Sequence, residues 1–187
     1  MSTSRTILIA ILLNLSICKI GDIRPFCYFP RYFPTTLQPS NKQLDLKKFS
    51  GKYYEQARLP VWFEKNCPCA EAVYNYQEEK NSIKITNFCI QNDGHKNEGH
   101  SRAYLINKQN TYWQNYMFKI FNGPQWILDF DDKEYNWVLF GEPCKKNAWI
   151  FSKDPEMNHD IKGQVIATAY GLGFDVSKFL HRTIMCR

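Results

Sequence analysis

The chain has 187 residues, of which 44% are hydrophobic and 22% charged, and it carries a formal charge of +6. One domain of ordinary size with a sizeable core fits that length, and the composition excludes a disordered chain, a collagen and a multispan membrane protein. Lys47-Lys48 and Lys145-Lys146 are isolated pairs that read as solvated surface, so no nucleic-acid partner is expected. Aromatic residues reach 16%, and such a share either fills a core or lines a hollow one.

Residues 1–21 read as a secretory signal peptide. Arg5 precedes the apolar run Ile7 to Leu13, small residues follow, and the run falls short of the roughly 20 residues of a spanning helix. A secreted, extracellular protein is expected. Residues 22–48 then hold Pro25, Pro30, Pro34 and Pro39 among aromatic side chains, which predicts an irregular wrap pinned at Cys27.

From Gly51 the chain reads as short strands separated by polar turns. These are Gly51 to Leu59, Cys69 to Glu78, Ser82 to Ile90, Arg102 to Ile106, Tyr112 to Phe121, Gln125 to Phe130, Tyr135 to Gly141 and Ala148 to Lys153. Strands in that number and spacing predict an all-β sandwich or barrel. Met157, Ile161, Val165 and Ala169 recur every four residues, predicting one helix over 157–170 that Gly171 stops. A tail over 175–187 follows.

The chain has seven cysteines. Cys18 falls in the predicted signal, and the other six suit disulfides in an oxidising compartment, with 15 pairings open. His95, His100, His159 and His181 offer no ligand spacing, so neither a metal nor a cofactor is expected.

Several ordered stretches resemble the lipocalin family, in particular the group of apolipoprotein D and the bacterial outer-membrane lipocalins. Phe49 to Pro60 with Phe63-Glu64 resembles the opening signature, and Ile85-Thr86-Asn87 a third-strand motif. Trp126 to Tyr135 and Ala148 to Lys153 with Pro155 resemble two later signatures. The similarity covers about residues 46 to 186. It implies an eight-stranded up-and-down antiparallel barrel, open at one end, with the C-terminal helix packed outside; the lipocalin domain would span 22–187. Gly51, with Tyr53 under Lys153, would close the base, where the family usually has tryptophan and arginine.

The resemblance also implies the bridges Cys27–Cys144 and Cys69–Cys186, which leaves Cys67–Cys89; facing positions across the turn at Glu79-Lys80 suit Cys69–Cys89 slightly better. It places Tyr74, Asn87 and Trp149 in or near a ligand pocket. By alternation Ile85 shares the face of Asn87, and Phe118 and Ile120, with Trp126 across a turn, are further candidates. A buried Asn87 amide would need a hydrogen-bonding partner.

The function implied is non-enzymatic: binding and transport of a fatty acid, lysophospholipid, steroid-like lipid or tetrapyrrole pigment. Two alternatives are an enzyme using a free cavity thiol, and an interaction protein whose barrel is filled by residues such as Trp137, Phe140 and Phe151. Membrane-surface or lipoprotein association stays open, as does the choice between monomer and homodimer.

Overall fold

The computed structural model describes residues 36–117 and 121–182. Among the described residues nine strands run β1 (Gly51–Arg58), β2 (Cys69–Gln77), β3 (Ser82–Ile90), β4 (Lys96–Leu105), β5 (Tyr112–Met117), β6 (Phe121–Phe130), β7 (Trp137–Gly141), β8 (Ala148–Ser152) and β9 (Leu180–His181). Helix α1 (Leu46–Phe49) precedes them, and α2 (His159–Gly171) lies between β8 and β9. β1 to β8 are antiparallel neighbours in chain order, and β1 pairs with both β2 and β8, so the sheet closes. Closure leaves no edge among these eight, and β9 adds outside against Ala57 and Arg58.

Side-chain alternation sorts the apolar residues into two clusters. Tyr53, Tyr74, Ile83, Ile85, Trp113, Ile127, Phe140 and Phe151 point into the barrel. Ala57, Trp126, Leu128, Leu139 and Ile150 point out, where Val165 and Ala169 of α2 and Phe174 and Phe179 of the tail cover them. β8 is therefore buried at all five positions. β3 keeps the alternation of a sheet solvated on one face, with Ile83 and Ile85 buried and Lys84 exposed.

Where the sequence predicts an irregular wrap through residue 48, its end is ordered. Asp45 caps α1 by accepting from the amides of Lys47 and Lys48, and Leu44, Leu46 and Phe49 are buried in the barrel's closed end. The fourth strand begins at Lys96 rather than Arg102, because Lys96 to His100 are all exposed and carry no apolar alternation to read. Tyr112 to Phe121 is not one strand: β5 stops at Met117 and β6 starts at Phe121. Residues 122–124 fall between two of the predicted strands, yet Pro124 lies within β6 opposite Gln114. β7 joins β6 only from Trp126 onward, so the missing proline N–H disrupts no ladder there. β7 begins at Trp137 rather than Tyr135, whose φ of 59° puts it in the left-handed region. Of the helical stripe, Met157, Val165 and Ala169 are buried, but Ile161 is 38% exposed.

Candidate functional site

The two ends of the barrel differ. At the closed end Phe49 stacks on Tyr53 at 5.1 Å between centroids and meets Trp113 edge-on at 5.5 Å. The Tyr53 hydroxyl lies 3.0 Å from the Phe49 carbonyl and 3.1 Å from that of Tyr135. Burial raises its pKa far above the ordinary phenol value, so it stays a donor. Lys153 Nζ stands 5.6 Å from the Tyr53 ring centroid and donates to the Lys48 carbonyl at 3.0 Å. Gly51, beside it, has a φ of 138°, a conformation that costs a side-chain-bearing residue strain. Tyr74 and Phe140 continue the ring layer towards the middle of the barrel, stacked at 5.8 Å.

Above that layer is a pocket open to solvent. Phe63, Tyr74, Met117, Trp149 and Phe151 supply its apolar walls, and Glu64, Asn87, Asn115, Gln125 and Glu142 its polar ones. The space between these side chains, open mouth included, is about 620 Å³, of which about 70 Å³ admits the centre of a water molecule. At about 10–15 Å³ of centre space per water, that is room for roughly six waters, or a body of about ten heavy atoms.

One wall of the pocket rests on a buried ionic cluster. The C-terminal half of β1, irregular between Glu55 and Ala57, presents Glu55 and Arg58, and the 3₁₀ turn Trp62–Glu64 brings Glu64 beside them. Arg58 Nη1 donates to Glu55 Oε1, while Nη2 donates to the carbonyls of Glu64 and Cys67 at 2.6 and 3.2 Å. Arg58 Nε lies 3.1 Å from Glu64 Oε2, without hydrogen-bond alignment. Trp149 Nε1 donates to the same Glu64 oxygen at 3.2 Å. Burial, then the charge of Glu64, pushes Glu55 up to about 8 against the pull of Arg58. Burial also raises Glu64, opposed by Arg58 and the Trp149 hydrogen bond. Leaving either carboxylate without Arg58 would be costly, since one guanidinium serves both.

Of the residues singled out from sequence, Tyr74, Asn87 and Trp149 line the pocket. Ile85 lies buried in the interior cluster and does not reach the lining. Asn87 is exposed at the rim, which corrects the reading of a buried amide. Trp126 is on the outer wall, ring to ring with Tyr112 at 5.4 Å and packed with the layer under α2, so it is not a pocket residue. Phe118 and Ile120 lie outside the described residues. Phe63 and Glu64, which belong to the opening signature, also line the pocket. Asn115 and Met117 share the inward face of β5 with buried Trp113, a period-two signal readable once that face is known.

Cys67 and Cys89 form a disulfide with Cα atoms 5.4 Å apart. Cys89 faces Ala70 in the β2–β3 ladder, and Cys67 reaches it from just ahead of β2, so register parity does not decide the partner. Cys69 and Cys144 are also disulfide-bonded. Cys27 and Cys186, their expected partners, lie outside the described residues. Among the described residues no group of histidine, cysteine or acidic side chains could hold a metal ion, and no helix is long and apolar enough to cross a membrane.

Residues 44–183 match the family model of a lipocalin-like domain. The chain is 30% identical over 173 residues to insecticyanin-A of Manduca sexta, covering 86% of this chain and 88% of that protein. It is 23% identical over 149 residues to outer membrane lipoprotein Blc of Vibrio cholerae, covering 79% and 86%. The solved structure of insecticyanin from the tobacco hornworm superposes with a TM-score of 0.66 at 23% identity, over 89% of this chain and 93% of that one.

Proposed function

This chain belongs to the lipocalin family, and from that premise we propose that it binds and carries a small hydrophobic molecule in the open end of its barrel. The observation that supports this most is the pocket itself, in which Phe63, Tyr74, Trp149 and Phe151 surround an open space above a packed ring floor. Concave sites with apolar walls and a few polar groups are the usual form of small-molecule sites. The ring floor shapes the ligand. A compact body of one or two rings seats without rearrangement, whereas a long acyl chain or a tetrapyrrole would have to displace Tyr74 or Phe140.

The setting we propose is extracellular, supported by the signal-like residues 1–21 and by the Cys67–Cys89 bridge, which suits an oxidising compartment. Carriage requires burial and release but no bond making. All four cysteines among the described residues are disulfide-bonded, which speaks against a free cavity thiol as nucleophile. The test is mass spectrometry of small molecules extracted from the natively purified protein, joined to calorimetric titration with 2-naphthol, a two-ring probe uncharged at pH 7. A co-purified apolar molecule, or saturable binding with one site per chain, is the expected result. An empty extract with no saturable heat would contradict the proposal.

A further inference from the structure

The polar groups of the pocket show a bias that the fold does not require. Its described lining holds the carboxylates Glu64 and Glu142 and no basic side chain. Glu142 is engaged by Asn147, whose amide donates to it at 2.7 Å. Glu64 is different. It is 22% exposed, and Trp149 Nε1 and Arg58 Nε both approach its Oε2, which leaves Oε1 open. Asn115 donates from Nδ2 to Gln125 at 3.0 Å, while its Oδ1, buried in the same lining, accepts from nothing. The pocket thus presents acceptors that want a donor.

The cluster behind the wall leaves Glu64 as the carboxylate a ligand meets. Glu55 is 2% exposed, takes the Nη1 end of Arg58 and holds its proton up to about 8. Arg58 and Trp149 approach Glu64 at Oε2 alone. A carboxylate oxygen left open in a lining without a basic side chain repels a carboxylate or phosphate head and attracts an ammonium. The faces of Phe63, Tyr74, Trp149 and Phe151 would add cation–ring attraction.

We infer that the ligand is a compact aromatic or alkyl amine, its protonated nitrogen on Glu64 and its apolar body against Trp149 and Phe151. This rests on the proposed carrier function and names the ligand class for the same pocket. It also separates this pocket from a fatty-acid site, whose ligand head bears the opposite charge.

The test ranks three probes that share a phenyl body and differ at the head: 2-phenylethylamine, 2-phenylethanol and phenylacetate, each displacing 2-naphthol at pH 7. The amine is expected to bind at least tenfold tighter than the alcohol, and phenylacetate weakest. In Glu64→Gln the preference for amine over alcohol should fall to threefold or less, and an unchanged far-UV circular dichroism spectrum and thermal midpoint report that the variant is folded. The wild-type ranking needs no variant. If 2-naphthol binds but phenylacetate matches or exceeds the amine, the ligand class is overturned and the carrier reading stands. If 2-naphthol itself fails to bind, both fall.

Discussion

Arg58 holds more together than any other single side chain near the pocket. Its guanidinium reaches Glu55, Glu64 and the carbonyl of Cys67, which links β1, the turn after it and the disulfide-bearing segment. Replacing it by methionine fills similar volume but leaves the Glu64 carboxylate without its cation and Glu55, which is 2% exposed, without its donor. Unfolding in urea should show a loss of about 3–5 kcal/mol for Arg58→Met; a change under 1 kcal/mol would mean that the cluster carries no strain of charge. Glu55 makes a separate prediction in pH. Its proton is held up to about 8, above the ordinary carboxylate range, so the folded chain binds that proton more tightly than the unfolded one. The stability Glu55 contributes is complete below the ordinary carboxylate pKa and is lost as pH rises through about 8. Wild type should therefore lose stability relative to Glu55→Gln between mildly acidic and mildly alkaline pH. A gap that stays constant across that range would show that Arg58, with Arg182 farther off, keeps Glu55 ionised throughout.

At the scale of elements, α2 is a lid on the outer wall rather than a part of the pocket. Its start is set by Asn158, whose side chain accepts from the amides of Asp160 and Ile161 at 2.9 and 3.2 Å. Asn158→Ala should cost about 0.5–2 kcal/mol in thermal or urea unfolding. Ile161→Ala should stay within about 0.5 kcal/mol, because the residue is 38% exposed despite standing in the apolar stripe. Equal losses from the two would place Ile161 in the packed face. The same elements show how far the sequence could be read. The sequences of β2 and β3 alternate, with small or aromatic residues at Ala72, Tyr74 and Tyr76 and apolar ones at Ile83 and Ile85, and their register follows from Tyr74 against Ile85 and Ala72 against Asn87. β6 to β8 are apolar on both faces because α2 and the tail cover them, so alternation there says nothing about which face is inward. That is why Trp126 reads equally well as lining or wall. The bulge between Ile127 and Asp129 shifts the parity of β6 as well. Gly141 was silent in the sequence: a Cβ there would come within 2.6 Å of Leu128 and 2.7 Å of Phe174, a constraint set by the tail lying over β7.

For the whole molecule, the abundance of rings resolves into a division of labour. Phe49, Tyr53, Trp113 and Phe140 fill the closed half, Trp126 and Phe174 join helix and tail to the wall, and Trp149 and Phe151 remain for the pocket. The barrel is therefore half core and half container. The ordered motifs made the barrel legible from sequence, but not the depth of its cavity, which depends on how α1 and the ring layer seat beneath it. The most direct test of this division is a calorimetric titration of three proteins with 2-naphthol. Met117→Trp places a large ring into the pocket lining, and Trp126→Phe alters the outer wall alone. Wild type and Trp126→Phe should each bind one equivalent with a dissociation constant on the order of micromolar, about −8 kcal/mol, and Met117→Trp should lose at least tenfold. Binding that survives Met117→Trp but is lost in Trp126→Phe would contradict the account, because the ligand would then sit on the wall under α2 and not in the mouth of the barrel.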